Sequence, residues 1–185
     1  MAMRNQATKP AKVDEADWSE LQSALSSVSS PSFGVAPSQL NSVTPESLGN
    51  DPKLEEKWAE SAAKHAMTYE KLLNSFNDKT KLRLTSIDTE IYDLFRATFP
   101  LLDISHLSDL DLKNEKQKIK WREFCMKYSN NSNIKDYHWG TLLRLNSEKG
   151  YQMETGGQNT TIVPRIQFLA IEIARNREGK NNNIK

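Results

Sequence analysis

The chain has 185 residues, 37% of them hydrophobic, with 25 basic against 24 acidic side chains and a net charge of +1. That leaves room for one domain around one core, and the charge is too balanced to predict nucleic-acid binding. The single cysteine, Cys125, excludes an intramolecular disulfide; with no apolar run of membrane-spanning length and no secretory leader pattern, a reducing, cytoplasmic setting is expected, with neither membrane nor DNA as partner.

Residues 1–48 are rich in Ser, Pro, Ala and Gln, and 23–45 hold too little apolar content to offset the entropy of ordering, so this segment is expected to be disordered. Within it Trp18, Leu21 and Leu25 have the spacing of a short amphipathic helix. The first 49 residues contain three basic and five acidic side chains, leaving 22 basic against 19 acidic, or +3, in the remainder.

Asn50 or Asp51 can cap, and Pro52 can start, a long helix running to about Asn74, where Leu54, Trp58, Ala62, Ala66, Tyr69, Leu72 or Leu73, and Phe76 recur at three- and four-residue steps. A second helix follows Thr85 or Ser86, with Ile87, Ile91, Leu94, Phe95 and Phe99 on one side and Pro100 as its stop. A third helical region begins near Ser108 or Asn114 and reaches Tyr128, with Trp121, Phe124, Cys125 and Tyr128 as its core face.

Residues 137–145 are ambiguous between a helical turn and a short strand, and helix is favoured; residues 150–161 read as an exposed loop with Gly156-Gly157 at its tip. Pro164 suits a first helical turn and Gly179 the left-handed residue that closes a helix. Between them Ile166, Phe168, Leu169, Ala170, Ile171, Ile173 and Ala174 leave almost no polar face, which predicts a central helix surrounded by other elements. The expected architecture is an all-α, mainly helical single domain over 49–180, with room for one short strand pair, a disordered segment before it and a disordered tail at 181–185.

Reactive constellations are sparse. There is no Walker loop, dinucleotide-binding glycine pattern, His-Glu-x-x-His or Gly-x-Ser-x-Gly, and no paired cysteines for zinc. Asp109-Leu110-Asp111 matches the acidic pattern that holds metal and sugar nucleotide in glycosyltransferases, but Ser108 before it makes a helix N-terminus the simpler account. His65, His106 and His138 have no neighbour at metal-ligand spacing, and Cys125 on an apolar face reads as an inert thiol. No enzyme and no cofactor is expected. Tyr137, Trp139 and Arg144 carry residue types that dominate protein interfaces. Arg144 and Arg165 lie in apolar runs, where each either pairs internally with Glu172 or Asp136 or projects to bind a partner. Arg175, Asn176 and Arg177 divide in the same way between closing a helix and forming a recognition patch.

The Gly-Thr-Leu-Leu-Arg-Leu run at 140–145 and the Pro-Arg-Ile-Gln-Phe-Leu-Ala-Ile-Glu-Ile-Ala-Arg-Asn-Arg-Glu-Gly run at 164–179 resemble the hallmark of the eukaryotic polysaccharide biosynthesis domain-containing family. Gly49-Asn50-Asp51-Pro52, the 84–95 segment and Lys120-Trp121-Arg122-Glu123-Phe124-Cys125 fall in the same order, so the resemblance covers about 49–179. It implies a small helical fold and, despite the family's name, an ATP-independent dedicated chaperone. The implied client is the GTPase domain of newly made elongation factor 1-alpha, with the ribosome or nascent-chain factors as further partners. Tyr137, Trp139, Arg144, Arg165, Arg175, Asn176 and Arg177 are then the expected client-binding residues. A sugar-nucleotide enzyme using Asp109 and Asp111, and a ribosome- or RNA-associated module using the basic 113–122 stretch, are the rival expectations.

Overall fold

Pro52 opens the first helix, α1 (Pro52–Ser75), in the computed structural model, which describes residues 52–184. The expectations for residues 1–48, including the Trp18, Leu21 and Leu25 run, lie outside the described residues. Ala62, Ala66, Tyr69, Leu72 and Leu73 make the buried stripe of α1, at the spacing read from the sequence, and His65 joins them. A 3-10 turn (Lys79–Lys81) follows, its start capped by Asp78, whose Oδ1 accepts from the Thr80 amide.

The second helix, α2 (Asp88–Thr98), is started by a carboxylate reaching backwards. Asp88 accepts from the amides of Leu84 at 2.9 Å and Thr85 at 2.7 Å and from the Thr85 hydroxyl, which ties the preceding turn to the positive end of the helix. The choice between Ser108 and Asn114 as the next start is resolved by two helices. Ser108 and Asp111 form a reciprocal capping box on α3 (Asp109–Lys113), and Asn114 ends α3 while its side chain caps α4 (Glu115–Met126). Helix α4 buries Trp121, Phe124 and Cys125 against α2, where Trp121 stacks on Phe99 at 4.1 Å between ring centroids.

Residues 140–145 depart from the expected helix. Gly140–Arg144 is a strand, β1, paired antiparallel with β2 (Thr160–Pro164) in the register Gly140↔Pro164 to Arg144↔Thr160. The fold is therefore mainly helical with one two-stranded sheet, and not strictly all-α. Along β1 Thr141 and Leu143 point inward while Leu142 is half-exposed, and the β-branched Thr160-Thr161-Ile162-Val163 run supplies the partner. Backbone pairing with a segment some twenty residues away leaves no local periodicity to read.

The connection between the strands is also less open than expected. Tyr151 is fully buried and Asn159 nearly so, the Asn159 amide group donating to the carbonyls of Asn146, Lys149 and Gly150. Gly156 and Gly157 form its tip with φ of 85° and 68°, a conformation that costs glycine nothing.

Strand β2 runs straight into the last helix, α5 (Arg165–Arg177), with Pro164 as its cap. Every residue from Ile166 to Asn176 is buried, and α5 packs on α2, α4, both strands and the 3-10 turns on either side. It is the central element, as its sequence predicts. Gly179 closes it at φ 69°. The tail expected to be disordered continues as a 3-10 turn (Lys180–Asn183), because Asn181 is drawn into the interior by the polar groups described next.

Candidate functional site

The seven residues expected to bind a client fall into four places. Arg144, Arg175 and Asn176 are each 0% exposed, which corrects their assignment to a surface patch. The two arginines bind Glu172, and Asn176 Oδ1 accepts from the Asn181 amide group at 2.7 Å. Arg144 Nη2 donates to Glu172 Oε2 at 2.8 Å, and Arg175 Nη1 donates to Oε1 at 2.8 Å. Asn181 and Tyr69 donate to Oε2 as well, at 3.0 Å each. Further guanidinium hydrogens bind chain carbonyls, Arg175 reaching Ile104, Arg144 and Leu145 and Arg144 reaching Ser147 and Lys149, while Arg144 Nη2 also donates to Asn181 Oδ1 at 2.7 Å and Arg144 Nε has no hydrogen-bond partner among the described residues. Burial by itself would raise the Glu172 carboxyl, but the two guanidinium groups and the Asn181 amide prevail and hold it well below the ordinary carboxylate range. The internal-pairing alternative is the one this structure contains, and it fastens α5, β1 and both flanking loops together.

Arg177, by contrast, is exposed. Its Nη2 donates to the Thr89 hydroxyl at 2.6 Å and its guanidinium lies 4.9 Å from the Tyr92 ring, beside the Arg96–Glu178 ion pair. Arg165 is half-buried at the start of α5, with the Asp136 charge nearby. It lines a polar crevice of about 260 Å³ with His65, Thr85, Ser86 and Lys135. Trp139 is half-buried near Ala62 and Gly140.

His65 has its Nδ1 enclosed without a hydrogen-bond partner among the described residues, and its ring meets Phe168 edge to face. Burial, and after it the Arg165 charge, push the imidazole down from 6.5 to about 4. A base whose folded pKa is depressed contributes stability that is complete above its unfolded pKa and is lost as pH falls toward the folded value. Between pH 7 and 5 the protein is therefore expected to lose about 2 kcal/mol more unfolding free energy than His65→Gln. Urea titrations of both chains at the two pH values check this; equal losses would contradict it.

The fourth place was missed by sequence reasoning. An open groove of about 400 Å³ runs between α4 and the outer face of β2, with Tyr137 and His138 at one end. Its floor includes Trp121, Val163 and Pro164, and Met126 and Ile162 stand on it 56% and 50% exposed. Lys118 and Arg122 edge it, and no acidic side chain among the described residues lines it. Trp121 Nε1 has no hydrogen-bond partner among the described residues. Of the expected client-binding residues only Tyr137 is here, with its hydroxyl 3.9 Å from Met126 Sδ. The available signal was Ile162, an apolar residue at an outward strand position, but it becomes legible only once β2 is recognised.

Asp109 and Asp111 are occupied locally. Asp109 pairs with Lys113 at 2.9 Å and accepts from the Thr161 hydroxyl, while Asp111 accepts from the Ser108 amide and hydroxyl. Among the described residues no three His, Cys, Asp or Glu side chains are grouped to hold a metal ion. No helix among them is long and apolar enough to cross a membrane.

Fold and site together define a small, mainly helical domain with a charge-locked interior and one open apolar groove. The chain belongs to the PBDC1 protein family, the polysaccharide biosynthesis domain-containing proteins, whose family model matches residues 54–185. It is 50% identical over 137 residues to Protein PBDC1 of Mus musculus, covering 74% of this chain and 66% of the mouse protein. It is 49% identical to Protein PBDC1 of Homo sapiens, covering 76% of this chain and 57% of the human one, so it spans less than two thirds of either. A solution NMR structure of a Saccharomyces cerevisiae protein, 36% identical, superposes with a TM-score of 0.62 over 77% of this chain and 95% of that one.

Proposed function

We propose that this protein is an ATP-independent cytosolic chaperone that binds the nascent or nucleotide-free GTPase domain of translation elongation factor 1-alpha and leaves as the client takes up GTP. The client is the one implied by the family resemblance at 140–145 and 164–179. The observation that carries a binding role is the groove between α4 and β2: half-exposed Met126 and Ile162 over an apolar floor, held on a domain whose interior is locked by ion pairs. Exposed apolar side chains that line one concavity are what partner recognition requires.

A GTPase domain without nucleotide exposes apolar surface and loops that order only around nucleotide and magnesium. A rigid groove can cover that surface in the meantime. Because the chaperone prefers the empty state, linkage requires GTP to weaken its binding by the same factor that it weakens GTP's, so client maturation drives release.

The test is capture of the elongation factor 1-alpha GTPase domain, emerging from stalled ribosomes and as purified nucleotide-free protein, with and without GTP and magnesium. Capture reversed by GTP supports the proposal. Absence of capture by protein shown to be folded removes the client.

A further inference from the structure

The groove carries one more assignment. Its edge is cationic, Lys118 and Arg122 make no ion pair among the described residues, and Lys116 and Lys120 are exposed on the same helix. Its interior is apolar, with Met126 and Ile162 raised above Trp121. The complementary ligand is a short peptide with carboxylates on one side and large apolar residues at three- and four-residue spacing on the other. Residues 14–25 of this chain have that composition: Asp14, Glu15, Asp17 and Glu20 accompany Trp18, Leu21 and Leu25, with no basic residue among them.

Chain geometry agrees. The described chain begins at Pro52, six residues before Trp58, or roughly 9 Å along α1. Trp58 Nε1 donates to the Gly140 carbonyl at 3.2 Å. At Gly140 the space for a side chain is taken by that same indole, at 3.3 Å, and by Ile162 Cγ2, at 3.4 Å. The described chain thus starts less than two helical turns from an indole that shares Gly140 with the groove residue Ile162. Residues 26–51 separate Leu25 from Pro52, and a connection of that length bridges roughly 28 Å. A tethered peptide acts at an effective concentration on the order of millimolar, so even modest intrinsic affinity keeps the groove occupied.

We propose that residues 14–25 dock in the groove between α4 and β2 of their own chain, Trp18 and Leu21 covering Met126 and Ile162 while the carboxylates face Lys118 and Arg122. The segment is then a built-in competitor that a client must displace; this consequence, unlike the docking, rests on the groove being the client surface.

The experiment uses full-length protein and a fluorescent synthetic peptide of residues 14–25. Trp18→Ala with Leu21→Ala, outside the described domain, is expected to bind the peptide at least tenfold tighter than the native chain, because the groove is vacated. Adding Lys118→Glu and Arg122→Glu is expected to abolish that gain. Equal peptide binding by native and Trp18→Ala/Leu21→Ala chains overturns the docking, as does binding indifferent to the charge reversals. A native dimer that Trp18→Ala with Leu21→Ala dissociates in sedimentation would place the segment in a second copy and overturn the same-chain assignment. Client capture is read separately: a peptide result as expected with no capture removes the client and leaves the docking, and capture without peptide binding does the reverse.

Discussion

Glu172→Gln is expected to destabilise the domain by about 3–5 kcal/mol, a large part of the roughly 5–15 kcal/mol available to a protein of this size. The substitution keeps the shape and one acceptor oxygen but removes the only carboxylate that is bonded to Arg144 and Arg175 among the described residues, both arginines being fully buried. Two guanidinium groups would then share the interior without a counter-charge. Their bonds to the carbonyls of Ile104, Arg144, Leu145, Ser147 and Lys149 would persist, yet neutral dipoles do not replace a charge. Asp109→Asn, which breaks an exposed ion pair with Lys113, is expected to cost no more than about 1 kcal/mol. Guanidinium unfolding of both variants measures the contrast, and a Glu172→Gln cost as small as that of Asp109→Asn would refute the counter-charge account. Charge reversal at Arg175 belongs to the same experiment: it reports on stability, not on recognition.

Met126→Glu with Ile162→Glu is expected to weaken capture of the nucleotide-free GTPase domain ten- to a hundredfold, the loss that follows when two apolar contacts at a binding surface become charged. Both side chains are half-exposed, so the change is expected to cost the fold about 1 kcal/mol or less at each position. Arg177→Ala, exposed on a separate face beside Tyr92 and Thr89, is the control expected to leave capture within about threefold. Dissociation constants for the three chains, together with their unfolding midpoints, decide between groove and arginine. Unchanged capture by a folded Met126→Glu/Ile162→Glu chain would move the client surface elsewhere.

The helices were legible in the residues because their instructions are local. Pro164 and Gly179 bracket α5, Ser108 and Asp111 start α3, and the apolar stripe of α1 repeats within four residues, so capping and periodicity are complete in one stretch of chain. The apolar character of 166–174, interrupted only at Gln167 and Glu172, likewise announced a central helix, because such a segment finds no stable place at a surface. The family was legible for the same reason, in two contiguous runs.

What the sequence by itself determined, then, is the helical framework, the centrality of α5 and the family. Tertiary structure alone decided that 140–144 is a strand, since its backbone is satisfied by β2 and not by its own turn. It decided too that Arg144 and Arg175 are interior, because whether a guanidinium can be buried depends on a carboxylate and on loop carbonyls delivered from 104 to 181. The groove, finally, exists only where α4 and β2 meet: Met126 and Ile162 look like ordinary apolar residues until the fold leaves their neighbours covered and them open to solvent.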